Sequence, residues 1–344
     1  IIVQWNMSPE TILKGDIEPN VTVDKCLNGL VVTEDKCMAA TGQFFSKQKQ
    51  GFMPKIIEEM YDERVVIKKK MLASKQELEQ CDKTNKAEVY RIERDIAHFE
   101  NQQTAIKILL NSLYGALGNK YFRYFTMEIA EGITITGQTI IKWGEKHINS
   151  YLNKALKTNN DYVIAIDTDS IYANFSSLVN AVMPDADIGK KVDFLSKACR
   201  RIETDVFDIA FKELGENLNV HKLRIGMKRE GIADRGIWTA KKRYMLSVWM
   251  GEDDVLLSKP ETKIMGLETA RSSTPAYFRD KLYEAFKIII GKTNDRDVIE
   301  FTRDAKIIYS QRRSALHRLW SETSWRLARL RDNPACADAE YDRW

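Results

Sequence analysis

Two hydrophobic runs near the middle of the chain are separated by a short acidic turn. Residues 162–166 form the first run, and the second begins at Ile171. Because β-branched and aromatic residues favour strands, two such runs around a short polar stretch predict a β-hairpin. Asp167 and Asp169 lie in the turn, so the pattern places two carboxylates at the end of that hairpin.

A long stretch without Pro or Gly follows Pro54 and continues to Gly115. Pro54 suits the first turn of a helix, and the polar residues 81–85 predict a break. The stretch is therefore expected to form a helical hairpin. Its second helix, from about residue 86 to 117, would be about 50 Å long at the usual rise per residue.

The rest of the pattern predicts shorter elements, in which aromatic and β-branched residues indicate strands. Helices are expected at 130–157, at 190–216, and from Thr274 and Pro275 to about residue 310. Strands are expected at 29–33, 223–227 and 241–250, with a short strand or turn at 263–268.

Composition narrows the class of protein. The chain has 344 residues, of which 44% are hydrophobic and 30% are charged, as in globular proteins. It has no apolar run of 18 residues, so no transmembrane helix is expected. Its five cysteines are scattered without a Cys-x-x-Cys pair, which argues against zinc and a disulfide framework and favours a reducing compartment.

The distribution of charge says more than the net charge of +4. Between Lys222 and Arg243 there are eight Lys or Arg residues and only two acidic ones, Glu230 and Asp234. Such a surplus can neutralise several phosphates of a nucleic acid. A solvated basic face remains the alternative explanation.

Side-chain spacing in the predicted helical hairpin suggests a nucleotide site. Arg64 and Lys68 are four residues apart, and Lys107, Asn111 and Tyr114 have the spacing i, i+4 and i+7, so each set shares a helix face. Cations there could bind phosphates, and the phenol ring could stack on a sugar or base. An exposed hairpin with ordinary surface charge would show the same spacing.

The acidic turn predicts a metal site. Two unpaired carboxylates this close repel each other, and a divalent cation removes the conflict, because Mg²⁺ prefers one or two carboxylates together with substrate phosphates. An EF-hand loop is excluded, since its sixth and twelfth positions would be Tyr172 and Leu178 rather than Gly and Glu. Phosphoryl transfer is the chemistry that fits best.

The motifs resemble those of the family B DNA polymerases. Residues 107–115, with the pattern Lys-x-x-x-Asn-Ser-Leu-Tyr-Gly, and 167–170, Asp-Thr-Asp-Ser, are similar to that family's second and third polymerase motifs. Residues 241–244 resemble its Lys-Lys-Arg-Tyr signature. Residues 111–119 and 263–268 look specifically like the replicative polymerases of T-even-type bacteriophages. The resemblance extends from Ile1 to about residue 290.

This resemblance implies an α+β fold: a palm with an antiparallel β-sheet and packed helices, plus a long helical-hairpin fingers subdomain. The implied boundaries are 1–50 for the N-terminal part of the palm, 51–118 for the fingers, 119–268 for the palm with the catalytic hairpin, 269–310 for the start of the thumb, and 311–344 for an atypical tail. The tail holds Arg but no Lys.

The implied activity is template-directed addition of deoxynucleotides to a primer during phage genome replication, with two Mg²⁺ ions, primer-template DNA and deoxynucleoside triphosphates as the groups bound. The catalytic and metal-binding residues would be Asp167 and Asp169. The nucleotide-binding residues would be Arg64, Lys68, Lys107, Asn111 and Tyr114. The DNA-binding residues would be Gly115, Glu230, Lys241, Lys242, Arg243, Tyr244, Lys263 and Gly266.

The chain also departs from the family pattern. The family's first polymerase motif carries a second metal-binding Asp, and Ile1-Ile2 looks like the end of that motif. Two further hypotheses follow: an incomplete, non-catalytic DNA- and nucleotide-binding fragment, or one half of a split polymerase that needs an upstream polypeptide carrying the missing Asp. The full-length enzyme is expected to bind a sliding clamp, not a membrane, and to act in the cytoplasm of an infected bacterial host.

Overall fold

A computed structural model describes residues 1–82, 84–271 and 273–291 of the chain. Two compact units divide the chain, Ile1–Arg229 and Glu230–Trp344, and each is described by itself below. The predicted end of the last helix, near residue 310, and the predicted tail at 311–344 lie outside the described residues. Within the described ranges, no helix has both the length and the apolar character needed to cross a membrane.

The first unit combines a small antiparallel sheet with long helices. The strand order in the sheet is β1-β3-β2, and the short helix α1 (Val23–Leu27) lies between β1 and β2 along the chain. Its strands are β1 (Ile12–Ile17), β2 (Lys36–Met38) and β3 (Gln43–Ser46). The helices that follow are α2 (Phe52–Gln80), α3 (Lys86–Leu117) and α4 (Met127–Leu156).

A second, two-stranded sheet follows α4. It consists of β4 (Val163–Asp167) and β5 (Ser170–Ala173), which pair antiparallel. The unit continues with α5 (Ser176–Val182) and α6 (Ile188–Ile202), and α6 passes through a π-helical turn (Glu203–Asp208) into α7 (Ile209–Asn217). The helix predicted at 190–216 is therefore present, with a π-helical interruption in its middle.

Helix α4 is the scaffold of this unit. Its apolar side chains, including Ile129, Ile148 and Leu152, are fully buried in the main core cluster. The indole Nε1 of Trp143 donates to the carbonyl oxygen of Ala210 at 2.8 Å, so α4 is fixed to α7 by a buried hydrogen bond as well as by packing. This helix was predicted at 130–157 and is confirmed with a start three residues earlier.

The predicted helical hairpin is confirmed. Helix α2 ends at Gln80, and α3 begins after Asn85, whose side chain accepts a hydrogen bond from the backbone N–H of Glu88 at 3.3 Å. An Asn in this position satisfies a backbone donor that the first turn of a helix leaves open. Across the hairpin, Arg91 of α3 forms an ion pair of 2.6 Å with Glu77 of α2.

The second unit contains a three-stranded antiparallel sheet in the order β6-β7-β8, followed by a helix. The strands are β6 (Ile232–Ala240), β7 (Arg243–Met250) and β8 (Leu256–Met265), and the helix is α8 (Ala276–Gly291). Met245, Leu267 and Ile290 form its buried core cluster. The mixture of helices and antiparallel sheets confirms the α+β class.

Two predicted strands were wrong. Residues 29–33 and 223–227 form no strand. In the second case the backbone N–H groups of Arg224 and Ile225 donate to the side-chain Oε1 of Gln4, at 2.9 and 2.8 Å, and a side chain therefore takes the place of a neighbouring strand. In the first case Val32 donates to the carbonyl oxygen of Asn217 at 2.7 Å, outside any sheet.

Two further predictions needed new boundaries. The strand predicted at 241–250 begins at Arg243, because Lys241 and Lys242 form the turn after β6, and Lys242 has a φ of 60°. Of the short strand or turn predicted at 263–268, residues 263–265 form the end of β8. Strand β6 and most of β8 were not predicted.

Candidate active site

The two acidic residues lie at the tight end of the β4–β5 hairpin. Asp167 pairs with Ser170 in the strand register, and the N–H of Asp169 donates to the carbonyl oxygen of Asp167 at 2.7 Å. Thr168 takes a left-handed conformation with a φ of 58°, which is uncommon for a β-branched residue. The predicted hairpin and the position of both carboxylates in its turn are confirmed.

The two carboxylates have different surroundings. Asp167 is half-buried and accepts a hydrogen bond from the hydroxyl of Thr168 at 3.1 Å. Asp169 is exposed, and no described residue forms an ion pair or a hydrogen bond with its carboxylate. Asp169 is therefore the more available ligand of the two.

Two asparagines of α4 hold the loop that leads into the hairpin. The Oδ1 of Asn149 accepts from the N–H of Tyr162 at 2.8 Å, and its Nδ2 donates to Asp161 at 2.9 Å. Together with the N–H of Val163, Asn149 lowers the pKa of the Asp161 carboxyl below its ordinary value. One helical turn further on, Asn153 accepts from the N–H of Asn160 at 2.8 Å.

These asparagines were missed by the sequence analysis. The available signal was an i, i+4 pair of Asn on the last turns of a helix, just before a polar loop. On the other side of the hairpin, a Cβ on Gly144 of α4 would lie 3.1 Å from Cδ1 of Ile171, so β5 approaches α4 closely there. The hairpin is thus fixed to α4 at its entrance and at its second strand.

The donor atoms of the acidic turn fit a hard divalent cation. Carboxylate oxygens are the ligands that Mg²⁺ takes from proteins, usually one or two of them, with water and substrate phosphates completing the shell. The described ranges contain no group of three or more His, Cys, Asp or Glu side chains suited to a metal ion. The pair therefore fits an ion that takes its remaining ligands from elsewhere.

The predicted nucleotide-binding cations lie at similar heights on the α2–α3 hairpin. Arg64 is thirteen residues before Glu77, so the Glu77–Arg91 contact places it at about the height of Thr104 on the antiparallel α3. Lys107 is then about 4.5 Å from Arg64 along the hairpin axis, and about 10 Å from Lys68. The three cations thus occupy one section of the hairpin.

The guanidinium of Arg64 has an unfilled donor. Its Nε is buried without a hydrogen-bond partner among the described residues. Buried donors without an acceptor are uncommon in native structures. Lys107 and Asn111 are exposed, and Lys107 forms no ion pair in the described part of the chain.

The end of α3 is bonded to α4. The hydroxyl of Tyr114 lies 2.9 Å from Oγ1 of Thr134, and a Cβ added to Gly115 would meet no atom within 4 Å. Thr134 and Gly144 are about 15 Å apart along the axis of α4. Helix α4 therefore carries both the end of the α2–α3 hairpin and the acidic hairpin.

The predicted DNA-binding residues 241–244 belong to the second unit. Lys241 and Lys242 are exposed in the β6–β7 turn, whereas Arg243 is bonded to Glu268. Tyr244 is only 4% exposed, and its ring stacks on Trp238 of β6 with centroids 6.1 Å apart. Trp238 was not predicted from the sequence, although an aromatic residue at a hairpin end often signals a cross-strand pair.

The other predicted residues of this unit support the turn or pair with each other. Gly266 has a φ of 65°, and a Cβ there would lie 2.0 Å from the carbonyl oxygen of Lys242. This close approach explains why the position needs glycine. The Nζ of Lys263 lies 3.8 Å from Oε2 of Glu230. Both side chains are about half exposed, so this ion pair contributes little to stability.

The basic segment noted in the sequence is divided between the two units, whose boundary along the chain lies between Arg229 and Glu230. Lys222 and Arg224 lie in the first unit, where both contact Glu58 of α2. Arg243 lies in the second unit and is bonded to Glu268. The Nε of Arg235 also lies 3.6 Å from Oδ2 of Asp234. At least four of the eight cations therefore have acidic partners within their own unit.

The chain belongs to DNA polymerase family B, whose sequence profile matches residues 1–318. It is 31% identical to the DNA-directed DNA polymerase of Enterobacteria phage T4, over 90% of this chain and 40% of that protein. It is 38% identical to the DNA-directed DNA polymerase of Escherichia phage RB69, over 58% of this chain and 23% of that protein. The DNA polymerase of Pyrococcus glycovorans is 26% identical over 92% of this chain and 34% of its own length.

The resemblance found in the motifs is thus confirmed. The chain spans less than half the length of these relatives. Family B DNA polymerases generally use divalent metal ions, in agreement with the donor atoms of the acidic turn. The roles given to individual residues stay predictions.

Proposed function

We propose that the chain forms the fingers and palm portion of a DNA-directed DNA polymerase that adds deoxynucleotides to a primer 3′-hydroxyl in phage genome replication. The observation that carries the proposal is the exposed, unpaired carboxylate of Asp169 in the hairpin turn of a family B chain. In this proposal α2 and α3 are the fingers, and α4 with the acidic hairpin belongs to the palm.

Asp167 and Asp169 would hold Mg²⁺ ions. When bound, two such ions would lower the pKa of the primer hydroxyl and offset the charge on the leaving pyrophosphate. Each Mg²⁺ needs near-octahedral oxygen ligation, and the described residues group no third acidic side chain with this pair. The proposal therefore includes a further carboxylate from another part of the polymerase, or from a separate upstream polypeptide.

The remaining side chains would bind and orient the substrates. Arg64, Lys68 and Lys107 would hold oxygens of the incoming triphosphate, and the buried Nε of Arg64 would find there the acceptor that it lacks. Tyr114 would pack at the nascent base pair. The open space beside Gly115 would admit the template base.

In the second unit, Lys241 and Lys242 would contact primer-template phosphates from the exposed β6–β7 turn. Arg243, Tyr244, Glu230, Lys263 and Gly266 remain predicted members of this DNA-binding region, with Gly266 supporting the turn through its close approach to Lys242.

A second function is favoured by one observation. Because the described residues group only two carboxylates in the acidic turn, the chain alone could bind DNA and nucleotides without catalysis. Primer extension with Mg²⁺ separates the candidates when the chain is assayed alone and together with a polypeptide that carries the family's first polymerase motif. Extension in either assay supports the polymerase, and binding without extension in both supports the non-catalytic function.

The role of Asp169 is tested in whichever assay gives extension. Asp169→Ala should abolish extension and leave the dissociation constant for primer-template DNA within about twofold, because the side chain binds the ions rather than the DNA. The matched control is Asp185→Ala, which removes another exposed Asp of the same unit. Loss of DNA affinity together with extension would show that Asp169 is structural.

A further inference from the structure

Two basic residues next to the core bind acidic residues of the helix that carries the predicted triphosphate cations. Arg224 contacts Glu58 and donates from Nη2 to Asp62 at 3.0 Å. Lys222 also bonds to Glu58, and the Nε2 of Gln50 donates to the other oxygen of that carboxylate at 2.9 Å. We call the contacts of Lys222 and Arg224 with Glu58 and Asp62 the basic clasp.

The backbone beneath the clasp is fixed by a buried side chain. Gln4 is only 2% exposed, and its Oε1 accepts from the N–H groups of Arg224 and Ile225, at 2.9 and 2.8 Å. The backbone carbonyl oxygen of Gln4 accepts from the backbone N–H of His221 at 2.9 Å. The backbone of residues 221–225 is therefore fixed by its hydrogen bonds to Gln4. Lys222 and Arg224 extend from this fixed backbone to α2, unlike an ordinary surface ion pair between two mobile side chains.

Arg224 also contacts the face of α2 that carries the predicted phosphate-binding residues, through Tyr61. Tyr61 lies three residues before Arg64 and seven before Lys68, so the three share a face. The guanidinium carbon of Arg224 lies 5.6 Å from the centroid of the Tyr61 ring, within range of a cation–π contact. Arg224 thus contacts two carboxylates and one ring within a single stretch of α2.

The clasp also changes the charge that a triphosphate would meet. Glu58 and Asp62 lie within two helical turns of Arg64, and their negative charges would oppose an approaching phosphate. The cations of the clasp offset those charges. Hydrogen bonds from Lys222 and then from Gln50 are the main causes that lower the pKa of Glu58 to about 2, so this carboxylate is ionised and paired at neutral pH.

We propose that Arg224 is a positioning residue for nucleotide binding: by holding Glu58 and Asp62, it fixes the base of α2 so that Arg64 and Lys68 meet the triphosphate. This inference rests on the proposed function, since it assigns Arg224 to the binding of the same substrate. Arg224 itself holds no phosphate, because its guanidinium is already bonded to two carboxylates.

Two measurements on Arg224→Ala test the proposal. Hydrogen exchange should become faster at the amides of residues 55–68, because the helix loses its anchor. In the extending form of the polymerase, the KM for deoxynucleotides should rise by about tenfold, as expected for the loss of charge-assisted hydrogen bonds. The kcat and the dissociation constant for DNA should stay within about twofold.

Two variants sharpen the comparison. The KM of Arg224→Lys should lie between those of Arg224→Ala and the unsubstituted protein, because lysine keeps the charge but cannot form the forked contact with two carboxylates. Lys197→Ala is the control: it removes an exposed ion pair of 2.7 Å with Asp193 on α6, and should change neither measurement.

The outcomes separate this proposal from the polymerase function. Faster exchange together with a selective rise in KM supports Arg224 as a positioning residue. Unchanged exchange overturns the anchor, and faster exchange with an unchanged KM overturns the positioning role, leaving a structural contact only. If the unsubstituted protein extends no primer in any assay, the proposed function and with it the positioning role fail, while the exchange data still decide whether the clasp anchors α2.

Discussion

At the scale of single residues, two glycines predicted to contact DNA have different physical reasons to be glycine. Gly266 has a φ of 65° and lies against the carbonyl oxygen of Lys242, so the fold itself excludes a side chain. Gly115 lies within α3, and a Cβ there would enter open space. The fold would tolerate alanine at Gly115, so a requirement for glycine at that position would come from a bound molecule.

We expect Gly115→Ala to separate stability from function. Alanine in a helix is more favourable than glycine by about 0.5–1 kcal/mol, and no atom obstructs the new methyl group, so the free energy of unfolding should rise slightly. Primer extension should fall, because the methyl group occupies the space assigned to the template base. Denaturant unfolding and extension assays check this, and unchanged extension would remove Gly115 from the DNA-binding region.

Gly266→Ala should have the opposite effect on stability. A left-handed conformation costs an L-residue about 1–2 kcal/mol, and the new Cβ would have to displace the carbonyl oxygen of Lys242. We therefore expect the free energy of unfolding to fall by at least about 1 kcal/mol. Denaturant unfolding of this variant beside Gly115→Ala gives the comparison, and equal stability of the two would contradict the close approach.

The clasp predicts a specific dependence on pH. The pKa of Glu58 is lowered from 4.5 to about 2, so its contribution to stability is full above the unfolded value and is lost as pH falls through the folded value. The free energy of unfolding should therefore be lower in Glu58→Gln than in the unsubstituted protein at neutral pH, and this difference should shrink as pH falls from about 5 to about 2. Unfolding curves over this range would contradict the clasp if the difference stayed constant.

At the scale of elements, the sequence predicted the long helices well. The absence of Gly and Pro after Pro54, and the polar break before Lys86, define α2 and α3 almost to the residue. Strands were harder to predict, because a strand depends on a partner that the local sequence does not show. Residues 223–227 have a strand-like composition, yet their N–H groups bond to the side chain of Gln4. Strand β6 was missed because Asp234, Arg235 and Gly236 interrupt its apolar pattern.

The candidate site shows the same contrast between features built by adjacent residues and features that depend on contacts with other elements. Asp167 and Asp169 were placed in a hairpin turn from sequence alone, because adjacent residues build that turn. The groups that hold the site come from other elements: Asn149 of α4 supports the loop before β4, and Arg224 contacts Glu58 across 166 positions. A contact across 166 positions, such as that of Arg224 with Glu58, leaves no periodic signal, so only the three-dimensional structure reveals it.

At the scale of the whole molecule, the small net charge of +4 does not show that the basic residues of the two units have different surroundings. In the first unit Lys222 and Arg224 are paired with acidic residues of α2. In the second unit Lys241 and Lys242 remain exposed at the tip of a hairpin. If the second unit binds DNA as proposed, its contacts with phosphates are expected at this exposed turn.

This distribution predicts the salt dependence of DNA binding. Lys242→Ala should weaken binding of primer-template DNA at low salt and reduce the slope of the logarithm of affinity against the logarithm of salt by about 0.9, because one phosphate contact and its released counterion are lost. The control is Lys281→Ala, which removes a cation of α8 that pairs with Glu284 at 2.7 Å and should leave the slope unchanged. Binding titrations at several salt concentrations give both slopes. If Lys242→Ala left the slope unchanged, or if both variants reduced it equally, the β6–β7 turn would not be the site where the second unit contacts phosphates.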